Sequence, residues 1–129
     1  MPRVTRHPNF WLVALFVWFG VLWILSSGTH PGIPMPPIDF FDKIEHFGYF
    51  FGGAGLLSAY LFRKNPASPR WRIIIPSVIV VMALVGWMDE YHQSFVPGRS
   101  GNDPFDWLAD VIGASVGACV FKVAHRRLQ

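Results

Sequence analysis

The chain has 129 residues, of which 52% are hydrophobic and only 15% charged. Soluble domains carry nearer to about 25% charged residues, so this composition excludes an ordinary soluble enzyme and leaves room for little beyond apolar spans of roughly 20 residues each. The net charge of +3 does not mark a nucleic-acid partner either, because the basic residues flank the apolar runs instead of forming one surface.

The first run, Phe10 to Ser26, carries no charge and predicts a helix over about 10–26. Arg3 and Arg6 precede it and Leu25-Ser26-Ser27-Gly28 follows with small residues, as in a cleaved signal peptide. The run nevertheless exceeds the roughly 7–15 residues of a signal core, so a retained span is expected. The next segment has prolines at 31, 34, 36 and 37. It should be extended and stiff, lying over the ends of the helices.

The second helix, about 42–62, opens with DKIEHFGYF. Asp42, Glu45, His46 and Tyr49 fall at i, i+3, i+4 and i+7 and share one face, with Lys43 turned away. A helix start explains Asp42 as an N-cap or first-turn acid and accommodates Glu45. It does not explain His46, one turn deeper.

The third helix, about 72–95, ends WMDEYHQSFVPGR. Asp89 and Glu90 arrive at its C-terminus, where carboxylates oppose the helix dipole. Asp89, His92 and Gln93 share a face. A conflict between local preference and placement of this kind tends to mark a functional site. Pro97-Gly98 should close the helix with a turn, and the isolated Arg99 should pair with a carboxylate or bind an anionic group.

The fourth helix, about 104–124, opens DPFDWLADVIGASVGA. Asp103 before Pro104 reads as an N-cap followed by proline at the first helical position. Asp106 is a first-turn acid or a site residue. Asp110 lies too deep for a lone acid beside lipid, so it should face the bundle interior with Lys43, Arg99 or a histidine as partner. Gly48 with Gly52, Gly113 with Gly117, and Ala114 with Ala118 are small-residue pairs that allow the second and fourth helices to approach closely. The single cysteine, Cys119, lies in an apolar run and should be a buried, inert thiol.

The charges are sorted between these helices. Arg3, Arg6, Arg63, Lys64, Arg70, Arg72, Lys122, Arg126 and Arg127 lie at one set of ends, against only Lys43 and Arg99 at the other. This bias predicts both termini on the cytoplasmic side. All the acids, Asp39, Asp42, Glu45, Asp89, Glu90, Asp103, Asp106 and Asp110, then fall at the outer ends. Acids contribute little to orientation, so their clustering needs another cause. The expected architecture is all-α and polytopic: one domain over residues 1–129, a bundle of four transmembrane helices with N- and C-termini in the cytoplasm.

The strings DKIEHFGYF and DEYHQSFVPGRSGNDPFDWLADVIGASVG resemble the VanZ-like membrane proteins. The resemblance spans roughly residues 10–125. It rests on Asp42, Lys43, His46 and Phe47, on Asp89, Glu90, His92, Gln93, Phe95, Pro97, Gly98 and Arg99, and on Asp106, Asp110, Gly113 and Gly117. It implies a small multi-pass protein of the bacterial cytoplasmic (inner) membrane, in a family associated with resistance to the glycopeptide teicoplanin. It supplies no established reaction.

Three functions are then open. The first is binding or modulation of a lipid-linked cell-wall precursor, another envelope lipid or a glycopeptide, in contact with the bilayer. Its ligand-binding candidates are Asp42, Lys43, His46, Asp89, Glu90, Gln93, Arg99, Asp106 and Asp110. The second is an outer-leaflet hydrolase or transferase, with His46, Asp89, Glu90 and His92 as acid–base candidates. The third is a purely structural polar network. The chain has no GxSxG, HExxH or P-loop string. No resident cofactor is expected, although oxygen ligands would suit Mg²⁺ or Ca²⁺ and added histidines would admit Zn²⁺ or Mn²⁺.

Overall fold

The computed structural model describes residues 3–28 and 39–128. The proline-rich segment and the Asp39 side chain lie outside the described residues. Four α-helices account for nearly all of the rest: α1 Pro8–Ser27, α2 Asp39–Lys64, α3 Trp71–Gln93 and α4 Pro104–Ala124, with short 3₁₀ turns at Arg3–Arg6 and His125–Leu128. The described residues contain no strand.

The caps follow local chemistry. Asp103 accepts a hydrogen bond from the Phe105 amide at 2.8 Å, with Pro104 at the start of α4. Asp42 lies inside α2, which begins at Asp39, and so is not at the N-cap position.

Contacts fix the helix directions. Ser26 at the end of α1 meets Asp89 and Gln93 at the end of α3, while Lys43 and His46 at the start of α2 meet Asp106 and Asp110 at the start of α4. The helices therefore run up and down in turn, and the C-terminus of α1 converges with the acid-bearing ends of α2, α3 and α4. The core between them contains Phe50, Ala54, Val78, Met82, Ala114 and Ala118.

Helices α2 and α4 pack closest, for a reason different from the expected one. A Cβ on Gly113 would stand 2.3 Å from the Phe47 carbonyl oxygen, and one on Gly117 would stand 2.4 Å from that of Phe51. The two α4 glycines thus lie directly on the α2 backbone. Gly48 and Gly52 face open space. The α2 side of this contact is main chain presented by Phe47 and Phe51, not a matching pair of glycines.

Apolar side chains also point outward. Phe16, Val17 and Ile24 on α1, and Val80, Leu84 and Trp87 on α3, are all more than half exposed. Cys119 is likewise exposed, not buried, because its position on α4 points away from the small-residue face. Three helices, α1, α3 and α4, are long and apolar enough to cross a membrane. The charged first turns of α2, with Asp42, Lys43 and Glu45, set it apart from them.

Helix α1 is attached through Trp18. Its indole N–H donates to the Tyr49 carbonyl at 3.1 Å, and the Tyr49 hydroxyl donates to the Trp18 carbonyl at 2.8 Å. The indole ring also occupies the space that a Cβ on Gly53 would need. Trp18→Phe removes one hydrogen bond and part of this packing, so a loss of about 1–2 kcal/mol is expected. A thermal melt of the detergent-solubilised protein reads it; an unchanged midpoint would show that this contact does not hold α1.

Candidate functional site

The converging helix ends build three linked polar groups. Nearest the α4 N-terminus, the Lys43 ammonium lies 2.8 Å from an Asp106 carboxylate oxygen and 3.6 Å from Asp103. The Phe105 amide, with the Lys43 ammonium beside it, holds the Asp103 carboxyl below the usual carboxylate range. Lys43, turned away from the Asp42 face of α2, is thereby turned toward α4.

One turn deeper, His46 Nδ1 lies 2.9 Å from Asp110 Oδ1. Of the three partners the sequence allows for Asp110, the histidine is the one it has. Asp110 is fully buried. It fits because α3 has a glycine opposite it: a Cβ on Gly86 would stand 2.6 Å from Asp110 Oδ2. The other ring nitrogen, His46 Nε2, faces Glu90 Oε1 at 3.9 Å. That separation is too long for a hydrogen bond.

The third group joins α1 to α3. Asp89 accepts from Ser26 Oγ and, through its other oxygen, from Gln93 Nε2 at 2.8 Å. This pairing shows how an acid is tolerated at the C-terminus of α3: donors from α1 and from the next helical turn offset the unfavourable dipole. Glu90 is held differently. Its Oε2 accepts from the Asp103 amide at 2.8 Å, tying the α3–α4 loop back onto α3. Its Oε1 is buried and has no hydrogen-bond partner among the described residues, as is true of Asp110 Oδ2.

A cavity of about 340 Å³ opens beside these groups between α1, α2 and α3. Leu22, Leu25, Ile44 and Phe50 form an apolar part of its lining, and Asp42, Glu45, His46, Asp89, Gln93 and Arg99 a polar part. Lys43, Glu90, Asp106 and Asp110 are not part of the lining.

Two residues depart from expectation. Arg99 makes no ion pair among the described residues; its guanidinium donates to the Leu25 carbonyl at 2.9 Å. The Leu25 carbonyl, which also accepts from the Gly28 amide at 3.3 Å, lies at the negative end of the α1 dipole, and that end attracts the cation. His92 does not join the acids. It lies 2.9 Å from Ser27 Oγ and stacks on Trp23 with ring centroids 3.9 Å apart. Ser26 is the site residue that sequence reasoning missed. It ends an uncharged run, and nothing local distinguishes it from a helix-terminal serine.

An all-helical chain with three membrane-length apolar helices and a buried polar cluster at one end of the bundle belongs to the class of small helical membrane proteins. The family profile described as VanZ/LLP1 matches residues 5–125, nearly the whole chain. The chain belongs to the VanZ/LLP1 family. No curated protein and no solved structure matches it significantly.

Proposed function

We propose that this VanZ/LLP1 protein crosses the bacterial cytoplasmic membrane four times, with both termini inside, and binds the head group of a membrane amphiphile at its outer face. The observation that carries the reading is the cavity, which sets an apolar wall against a charged one beside helices long and apolar enough to cross a membrane. A pocket of this size suits a small ligand or the head group and first carbons of a lipid, including a lipid-linked cell-wall precursor. A whole glycopeptide antibiotic is far larger and would reach only its rim, so the lipid is the favoured ligand.

Aromatic side chains support the placement of the bundle. Trp71 stacks with Phe62 near one end, and Trp87, Tyr91 and Phe95 follow one another near the other. Along α3, Trp71 and Tyr91 are separated by about 30 Å at 1.5 Å per residue, matching the thickness of a hydrocarbon core. Aromatic rings favour both of its boundaries. A periplasm-dependent reporter fused after Gln129 should be inactive; activity there would reverse the orientation.

Native mass spectrometry of the protein released from nanodiscs tests binding. A co-purifying amphiphile is expected, retained at least tenfold less by Asp42→Asn and by Arg99→Ala at normal folded yield. Equal retention by both variants would remove the cavity as its site.

One observation favours an outer-leaflet enzyme as a second reading. His46 is oriented through Nδ1 by Asp110 and presents Nε2 toward Glu90, the arrangement of a positioned acid–base group. Turnover of the co-purified amphiphile, lost in Glu90→Gln, would support it.

A further inference from the structure

We infer that the floor of the cavity is a binding site for one divalent first-row cation, held by His46 Nε2, an Asp89 oxygen and Glu90 Oε1. The inference deepens the head-group reading and rests on the same cavity.

Geometry supplies the first argument. His46, Asp89 and Glu90 each offer a ligand atom within 4.8 Å of the other two. Bonds of about 2.0–2.2 Å to one centre require donors roughly 3–4 Å apart, so small side-chain rotations close the set. His46 Nε2 and Glu90 Oε1, at 3.9 Å, already satisfy that spacing.

The second argument is independent of clustering. Glu90 is 3% exposed, yet among the described residues its Oε1 has no hydrogen-bond partner. A buried carboxylate oxygen left without a donor costs free energy, and buried charges are normally paired or bound to metal. The unpartnered atom faces the one nitrogen of His46 that Asp110 does not occupy. Carboxylate to imidazole to metal is the usual order in which a buried acid fixes the tautomer and direction of a ligating histidine. Asp110 is placed to act as that positioning residue. Asp89 can ligate while keeping its bonds to Ser26 and Gln93, since a carboxylate oxygen has two lone pairs.

A competing triad, Asp42, His46 and Asp106, has the same spacing limit. It is the weaker choice because Asp106 is already neutralised by Lys43 at 2.8 Å. One imidazole nitrogen with two carboxylate oxygens suits Zn²⁺ or Mn²⁺ better than Ca²⁺. His46 and Asp89 also line the cavity. Coordination positions on that side are therefore left to water or to an oxygen of the head group.

The test uses the full chain in nanodiscs, stripped with a chelator and titrated with ZnCl₂ or MnCl₂ alone. One equivalent should bind, with affinity lowered at least tenfold by His46→Gln and by Glu90→Gln. Asp110→Asn should weaken binding by about ten- to a hundredfold at unchanged stoichiometry, and His92→Gln should leave it unchanged. In the Mn²⁺ form, pulsed electron paramagnetic resonance should detect one histidine nitrogen that His46→Gln removes. If His46→Gln does not fold, Glu90→Gln decides. Less than a tenth of an equivalent on the wild type, wild-type affinity in Glu90→Gln, or a nitrogen coupling that survives His46→Gln would overturn the inference. Repeating the amphiphile measurement in chelator separates the two readings: amphiphile retained with no metal bound in the titration removes the cation alone, and metal bound with no amphiphile removes the head-group reading alone.

Discussion

His46→Ala should destabilise the folded protein by about 3–5 kcal/mol, the cost of leaving the buried Asp110 carboxylate without its hydrogen-bonded partner. Asp110 is fully buried, and His46 Nδ1 at 2.9 Å is its hydrogen-bond partner. Neither Lys43 nor Arg99 replaces it, since Lys43 is held by Asp106 and Arg99 by the Leu25 carbonyl. The double substitution His46→Leu with Asp110→Val should recover at least half of the loss, because it removes the stranded charge together with its partner. Unfolding of the purified protein in mixed micelles measures both. A single variant as stable as the double would show that the pair is not coupled in folding. Asp110→Asn, which keeps a hydrogen-bonding group, should cost only about 1 kcal/mol.

Gly117→Val is expected to have an effect of similar size through packing alone. The first added carbon would lie 2.4 Å from the Phe51 carbonyl oxygen, a main-chain atom that cannot move aside by rotating a bond. Overpacking of this kind costs about 1–3 kcal/mol, and the larger side chain places valine at the upper end. Gly113→Ala should be costly for the same reason at the Phe47 carbonyl. Gly52→Ala should do the opposite. Its Cβ would meet nothing within 4 Å, and alanine is favoured over glycine within a helix by about 0.5–1 kcal/mol. The sign difference between Gly117 and Gly52 discriminates the observed α2–α4 contact from one built on paired glycines. Destabilisation by Gly52→Ala would count against it. Wedging α4 away should also part His46 from Asp110, so Gly117→Val should weaken binding of added Zn²⁺ along with the fold.

Much of this was legible in the sequence. Apolar runs interrupted by Asn65 to Arg70 and by Ser94 to Asp103 define the helices, and Asp103-Pro104 fixes the start of α4. The misplacement of Asp89 and Glu90 at a helix C-terminus, and of Asp110 inside an apolar helix, follows from local rules alone, because helix ends have fixed polarity and a lone acid beside lipid is costly. The spacing of Asp106, Asp110, Gly113 and Gly117 likewise puts them on one face before any neighbour is known.

Tertiary structure alone decided which face meets which. That Asp110 takes His46, that Lys43 takes Asp106, that Arg99 turns to the end of α1, and that Ser26 enters the site at all depend on the rotation and axial register of one helix against another. Periodicity fixes side chains relative to their own helix axis and leaves those two quantities free. They are set where the backbones touch, at Gly113 and Gly117 on Phe47 and Phe51, at Gly86 opposite Asp110, and at Trp18 against Gly53. The sequence therefore marked the residues out of place, and only the packing of the helices brought them to one another.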